Sequence, residues 1–376
     1  MTALLVYLVL LMLKVIGAWA YAKKYPAPSR VGDPPNVTIC QPILSGDPDL
    51  EDALADNLKA LPDVAFLWLI DDCDEEAARV TARLAGCHPC IDIRVLRCLS
   101  PPDGINPKLF KLEAARQVTS PGALLVLDDD TRLGRVGFEA LTAALARGEL
   151  VTGLPYYRTA RNGFGNLLAQ FVNNNAALAY LPLLNLAPPV SINGMCYALK
   201  TETLTELGGF SPLLRHLTDD LAVADSVRER GGQIIQTPYP QEVATTIGSL
   251  GQYMAQMHRW YVFALLLMRR RTLPLNALMV IFYALPPVLL WSGIAQALLF
   301  PHASTALVML GVLLARSLLL ASLQWRLTGR SRHRPASSIA SELLQPVHLM
   351  HALLVRSIRW RTRHYRVFDN DHFVSI

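Results

Sequence analysis

Six cysteines in 376 residues are too few, and too unevenly spaced, to form the disulfide framework of a secreted fold. They stand at positions 40, 73, 87, 90, 98 and 196. Cys87 and Cys90 make a CHPC pair with no second CxxC beside it, and His88 and Cys98 are only loosely placed as further ligands. The cysteines therefore read as ordinary reduced thiols in a domain facing the cytosol. No basic stripe interleaved with aromatic residues is present, so a nucleic-acid partner is not expected. The net charge of +5 gathers instead in arginines near 269 to 271, 326 to 334 and 356 to 366, beside apolar segments, as at a cytoplasmic membrane face. There are no internal repeats. The first apolar run lacks the basic start of a cleavable signal peptide and is followed by Lys23, Lys24 and Arg30, so a retained span is expected.

What is abundant is apolar surface. Hydrophobic residues make up 52% of the chain, so part of it is expected in lipid, while the length allows two average domains. Residues 2 to 21, TALLVYLVLLMLKVIGAWAY, are interrupted only by Lys14 and can cross a core of about 30 Å. A transmembrane helix is expected over 1–22. Lys23, Lys24 and Arg30 follow it, which places the amino terminus outside and the rest inside. The proline-rich run PAPSRVGDPPN reads as a linker.

Beyond residue 250 the texture changes. Residues 251–272 are expected as an interfacial helix. Residues 275–300 contain no charge and 303–323 only Arg316, so both read as spans, the first kinked by Pro286 and Pro287. Residues 338–357 hold Glu342, Gln345, His348, His351 and Arg356. They are open to three placements, in-plane, re-entrant or crossing, and a crossing would put the basic tail 358–376 outside, against the charge rule.

Residues 36–250 have the alternation of an α/β domain. Apolar strand candidates (VTICQPIL, VAFLWLI, IDIRVL, ALLVLD, ELVTGLPY) alternate with helical stretches, Pro48 to Ala60, Glu75 to Ala85 and Leu112 to Val118. The expected fold class is α/β, with a mainly parallel Rossmann-like sheet and helices on both faces.

Ligands of such sheets bind beyond the carboxyl ends of the strands, which is where the acids stand. The run Leu124 to Leu127 opens onto Asp128, Asp129 and Asp130. Carboxylates at i and i+2 of an extended chain share a side, so Asp128 and Asp130 can share one hard cation, Mg²⁺ or Mn²⁺, with Asp129 facing elsewhere. An acidic loop capping the next helix is the plainer reading. Phe66 to Ile70 runs into Asp71, Asp72 and Asp74, suited to a nucleoside or to a helix cap. GINPK offers Lys108 to a phosphate. Asp219 and Asp220 open a helix, where the dipole favours them and where a base could act. In QMHRW, Arg259 and Trp260 offer a charge for a diphosphate and a flat apolar wall, or a membrane anchor.

The order of these stations resembles the inverting, membrane-bound nucleotide-sugar transferases of the GT-A fold, and more narrowly the ceramide glucosyltransferase family, family 21 of the glycosyltransferases. DGINPK, GLPY, NGMCYAL, the DD helix and QMHRW carry the resemblance from about residue 36 to 260, and it resumes at Trp360 to Val367. It implies that Asp72 contacts the nucleoside, that Lys108 lies at the nucleotide, and that Asp128 and Asp130 form the DxD metal site with Asp129 on the nucleotide-sugar side. It further implies that Asp220 is the catalytic base, that Asp219 stands where a glutamate is common, and that Gln256, Arg259 and Trp260 close the diphosphate and acceptor side. The DDD sequence departs from the DSG-like version of animal members, which leaves the acceptor open.

The expected partners are thus a UDP-sugar donor, a membrane lipid acceptor and the bilayer, with the catalytic domain cytosolic. Glucose transfer to ceramide leads. Transfer of N-acetylglucosamine or another sugar to a hopanoid or other lipid alcohol is the runner-up, favoured by an Arg-, Ala- and Leu-rich composition typical of GC-rich bacterial genes, which also points to a bacterial inner membrane rather than the Golgi. A processive synthase would need more membrane helices. An inactive membrane-anchored binding protein would have no reason to keep acids at all three stations.

Overall fold

The computed structural model describes residues 2–26, 36–160, 162–360 and 363–376. Residues 27–35 of the expected linker, and Arg361 and Thr362 of the WRTRHYRV motif, lie outside the described residues. In chain order the elements begin with α1 (Thr2–Lys24), β1 (Val37–Pro42), α2 (Leu50–Ala60), β2 (Ala65–Asp71), α3 (Glu75–Cys87), β3 (Ile93–Cys98), α4 (Pro107–Val118), β4 (Ala123–Leu127) and β5 (Thr131–Arg132). They continue through α5 (Arg135–Ala144), β6 (Leu150–Tyr157), α6 (Gly163–Tyr180), β7 (Cys196–Lys200), α7 (Thr201–Glu206), α8 (Asp219–Glu229) and β8 (Ile234–Val243). The last part holds α9 (Leu250–Arg269), α10 (Leu273–Met279), α11 (Leu285–Leu299), α12 (Ala303–Thr328), α13 (Pro335–Leu343), α14 (Gln345–Leu354), β9 (Ser357–Trp360), β10 (Arg363–Val367) and β11 (Phe373–Ser375). The chain divides into two compact units.

The first unit, Pro26–Tyr156 with Pro188–Thr246 and Tyr365–Ile376, is built on a sheet of strand order β3-β2-β1-β4-β7-β6-β8-β5. It is parallel across β3-β2-β1-β4, after which β7 runs antiparallel to both β4 and β6. Because side chains alternate along a strand, each strand feeds two cores. Leu125 and Leu127 of β4, with Phe66, Trp68 and Ile70 of β2, face a core shared with α2, α3 and α5. Leu124 and Val126, with Leu67 and Leu69, face the other, shared with α4 and α8. This is why these strands read as continuous apolar runs.

The second unit, Met1–Tyr25 with Tyr157–Ala187 and Ile247–His364, holds three helices long and apolar enough to cross a membrane: Thr2–Lys24, Leu273–Leu299 and Ala303–Thr328. The second of these joins α10 and α11 through a π turn at Val280–Ala284, where Leu285 N donates to Val280 O. The wide turn is the form taken by the expected proline disturbance. Pro286 has no N–H for the Phe282 carbonyl, and Lys14 Nζ of α1 donates to that carbonyl instead, at 2.9 Å. The charge inside the first span thus caps the carbonyl that a proline releases in the second.

Residues 338–357 do not form one long helix. They lie largely in α13 and α14, of 9 and 10 residues, separated at Leu344. At about 1.5 Å per residue neither reaches across a core of about 30 Å. Residues 358–376, expected as a basic tail, contain strands, with β10 and β11 pairing antiparallel from Tyr365↔Ser375 to Val367↔Phe373. Ile358, Tyr365 and Val367 are buried while Arg359 and Arg366 are exposed. A period of two lay beneath the arginine count.

Arg316, inside α12, is 1% exposed. Its guanidinium lies 2.6 Å from Glu342 Oε2 and donates to Tyr7 Oη at 2.9 Å and Ser338 Oγ at 2.8 Å, while Tyr7 Oη donates to Glu342 at 3.0 Å. This network ties α1, α12 and α13 together, and it accounts for a glutamate in an otherwise apolar stretch. Removing one partner of a buried pair strands the other charge. Glu342→Ala is expected to destabilise the detergent-solubilised protein by about 3–5 kcal/mol, with Arg316→Leu/Glu342→Leu recovering most of the loss; equal unfolding midpoints for wild type and Glu342→Ala would contradict the role.

Candidate active site

Strand parity sets the site. Asp128 follows the face of Leu124 and Val126, and Asp71 that of Leu67 and Leu69, so both acids leave their strands on the side covered by α4. Helix α4 starts at the NPK turn. Asn106 is its N-cap, accepting from Lys108 N at 2.9 Å and Leu109 N at 3.3 Å, and Pro107 takes the first turn, where a missing N–H costs nothing. Lys108 and Lys111, one turn apart on this helix, then meet the acids. Lys108 Nζ lies 2.7 Å from Asp128 Oδ1 and 3.0 Å from Asp219 Oδ2, and donates to Gly194 O at 2.6 Å. Lys111 Nζ lies 3.0 Å from Asp71 Oδ1 and donates to Ile43 O at 2.8 Å. Burial alone would lower the pKa of Lys108, but the Asp128 and Asp219 carboxylates outweigh it and hold the ammonium well above its usual range.

Asp219 and Asp220 are the first residues of α8. Asp219 Oδ2 is buried, and among the described residues no donor is aligned on it for a hydrogen bond; the Lys108 contact is one of charge. Asp220 is half-buried. Desolvation, reinforced by the neighbouring Asp219, raises its carboxyl to about 7 against the pull of the Leu221 N–H and Lys108. Gly194 makes room for it. A Cβ at Gly194 would stand 3.2 Å from Asp220 Cβ and 3.5 Å from Oδ2, so the NGM turn presses its backbone against this acid. The same turn anchors the strand end, with Asp128 N donating to Met195 O at 2.9 Å. Acids from two stretches some ninety residues apart are thus gathered around one ammonium.

The remaining acids are distributed differently from a simple alternation. The chain turns immediately after β4, with Thr131 N donating to Asp128 O, so the extended geometry expected for the three aspartates does not persist. Asp129 accepts from Leu44 N at 2.9 Å, and Asp130 Oδ2 from Thr245 Oγ1 at 2.6 Å. Asp72 is exposed beyond β2, its N–H donating to Cys98 O at 2.9 Å, while Asp71 takes the buried ion pair. Gln256, Arg259 and Trp260 belong to α9 in the other unit. There Arg259 donates to Gln256 Oε1 at 2.9 Å, and Trp260 stacks on Phe171 and meets Tyr157 edge-on, both at 6.1 Å. Cys73, Cys87 and Cys90 are exposed thiols, and Cys40, Cys98 and Cys196 are buried ones.

A divalent cation suits the donors present in one manner only. Asp128 and Asp130 supply hard carboxylate oxygens, and Asp128 keeps 34% of its side chain exposed. Among the described residues no group of three or more His, Cys, Asp or Glu side chains closes into a site. The protein thus fits a cation that shares its coordination with substrate or water oxygens, rather than one caged by protein alone.

Lys111, Asn106 and Gly194 shape the site without having been given a role from the sequence, and Asp71, read there with Asp72 and Asp74 as suited to a nucleoside or a helix cap, takes the ion pair with Lys111. The spacing of Lys108 and Lys111 along one helix face was the available signal for the second lysine. Nothing local marks the contact of Gly194 with Asp220.

Comparison with known proteins bears on this geometry. A model of glycosyl transferase family 21 matches residues 1–373. Ceramide glucosyltransferase 3 of Caenorhabditis elegans is 24% identical over 235 residues, which cover 60% of this chain and 50% of that protein. The chain thus spans about half the length of this curated relative. Among solved structures, the mannosyltransferase PcManGT from Pyrobaculum calidifontis, in complex with GDP-Man and Mn²⁺, superposes with a TM-score of 0.52 at 16% identity, covering 94% of this chain and 96% of its own. That likeness shows the GT-A fold. With all but its last few residues matched by the family model, the chain belongs to glycosyl transferase family 21.

Proposed function

We propose that this glycosyltransferase moves glucose from UDP-glucose to the hydroxyl of ceramide, with inversion, to give a β-glycolipid at a membrane surface. The observation that carries the catalytic part is the gathering of Asp128, Asp219 and Asp220 about Lys108 at the carboxyl end of β4. The choice of donor and acceptor is supported by family membership and by the curated relative, a ceramide glucosyltransferase. Three apolar helices fit a membrane-anchored protein, and the sheet unit is proposed to face the cytosol.

In this reading the acceptor oxygen attacks the anomeric carbon from the face opposite the diphosphate. Its proton passes to Asp220, the new C–O bond forms, and the electron pair of the breaking bond leaves on UDP. A carboxylate with a raised pKa is the stronger base at neutral pH, which is what burial beside Asp219 gives Asp220. Asp219, beside Asp220 and paired with Lys108, is proposed to face the sugar. Asp72, exposed at the end of β2, is proposed to meet the nucleoside, with Lys108 and Asp129 on the nucleotide side. Mg²⁺ or Mn²⁺ held by Asp128 and Asp130 would supply Lewis-acid neutralisation of the diphosphate.

Mass spectrometry of lipids formed from labelled UDP-glucose and UDP-N-acetylglucosamine, with ceramide or hopanoid supplied, tests the proposal. A labelled hexosylceramide supports it; a hopanoid product, or no product from any pair, removes it. Asp220→Asn is expected to lower turnover by at least about 10²-fold while UDP-sugar binding holds within about threefold; retained turnover would take the base role from Asp220. Asp130→Ala is expected to weaken metal-dependent donor binding, read by titrating Mn²⁺ against UDP-glucose affinity, and an unchanged metal dependence would exclude it as a ligand. The base works deprotonated, so kcat/KM is expected to be full above pH about 7 and to fall as pH drops through that value. An acid limb near pH 4, the ordinary carboxylate range, would argue against Asp220.

A further inference from the structure

The loop that delivers the acid pair is held from outside its own helix. Thr218 is the N-cap residue of α8, yet its side chain makes no capping hydrogen bond. Its Oγ1 donates instead to Asn370 Oδ1 at 2.7 Å, its backbone N donates to the same oxygen at 2.8 Å, and Leu217 N donates to Asn370 O at 2.7 Å. Three donors from the two residues preceding Asp219 thus converge on one residue that is fully buried, and that residue comes from the far end of the chain.

Asn370 sits at the tip of the β10–β11 hairpin. The tip closes on itself, with Phe368 N and Asp369 N donating to His372 O at 3.0 and 2.9 Å and Asn370 N donating to Asp369 Oδ1 at 2.7 Å. Buried Tyr365 and Phe373 meet edge-on at 5.4 Å and brace its strands. On the other side of the loop, Asn106 N donates to Leu214 O at 2.8 Å, and Asn106 Nδ2 to His216 O and Leu217 O, each at 3.0 Å. The loop is gripped between two asparagines. One belongs to the turn that carries Lys108, and the other to the carboxyl-terminal hairpin.

We propose that Asn370 is a positioning residue for the transfer reaction: the hairpin completes the seat of the acid pair by fixing the loop that aims Asp220. The inference rests on the reading of Asp220 as base. The hairpin has no other evident reason to bury an amide at this point. Asn370 Nδ2 has no hydrogen-bond partner among the described residues, so what the position supplies is acceptors. Loss of the side-chain acceptor leaves two buried groups, Thr218 N–H and Oγ1–H, unpaired at the start of α8, while Leu217 N keeps the backbone carbonyl of residue 370, and the loop must shift to find other acceptors. A displacement of about 1 Å at a catalytic group costs up to about 10²-fold in rate.

The test uses the full-length protein in detergent or nanodiscs. Asn370→Ala is expected to lower kcat about 10- to 100-fold with the donor KM within about twofold and the folded fraction unchanged. Asn370→Asp keeps both acceptor contacts to Thr218 and is expected to restore kcat to within about fivefold of wild type, a rescue that loss of general packing would not show. Should Asn370→Ala fail to fold, Thr218→Ala against Thr218→Ser reads the same contact, with loss of kcat in the first and retention in the second. Wild-type kcat in Asn370→Ala, or equal loss in Asn370→Ala and Asn370→Asp, overturns the inference. Asp220→Asn run in parallel separates the two levels: an inactive Asp220→Asn with a fully active Asn370→Ala removes the inference alone, and an active Asp220→Asn removes the base reading and the inference together.

Discussion

The ammonium of Lys108 is the constraint on which the catalytic end of the sheet unit depends. A buried cation must be matched by nearby anions or it costs several kcal/mol, and Lys108 finds them in Asp128 and Asp219. To bring those two acids within 3.0 Å of one nitrogen, β4 must end where it does and α8 must start beside it. The turn at Gly194 supplies the third oxygen, and a side chain there would crowd Asp220, its Cβ standing 3.2 Å from Asp220 Cβ. The NPK sequence begins α4 at the right height. Position, charge and helix start are thereby one requirement.

The membrane-type helices solve the same problem with different chemistry. Arg316 is neutralised by Glu342 and hydrogen-bonded by Tyr7 and Ser338, so the charge is carried by a closed network. Lys14 faces no carboxylate at contact distance; it takes the carbonyl left without a donor by Pro286. The two charged residues Lys14 and Arg316 thus each have a partner in another helix, as expected where water cannot supply one. These charges order the unit internally.

Much of this was legible because it depends on local pattern. The α/β alternation, the acidic strand ends and the three apolar helices follow from periods and run lengths, which sequence displays directly. What escaped was decided by contacts distant in sequence. Asp71 and Asp72 are adjacent and alike, and only the parity of β2 against α4 tells which meets Lys111. The carboxyl-terminal residues read as a basic tail because arginines outnumber the apolar residues between them, whereas burial of Ile358, Tyr365 and Val367 is what makes strands there. Asn370 carries no motif; its part is visible only once the N–H groups of Leu217 and Thr218 are seen to donate to it.

Charge balance connects the proposed cation to the donor. The carboxylates of Asp128 and Asp219 pair with Lys108, and Asp220 adjoins them, so these acids outnumber the ammonium before any substrate arrives. Part of that excess is relieved by the raised pKa of Asp220, which lets it hold a proton near neutrality. A diphosphate entering beside these acids adds more negative charge and would be repelled at short range. A divalent cation held by Asp128 and Asp130, as proposed, would offset that repulsion and loosen the pairing of Asp128 with Lys108. In that reading the lysine would be freed for the phosphate oxygens, and less countercharge would remain beside Asp220. Donor binding of this kind would therefore also strengthen the base that the acceptor needs.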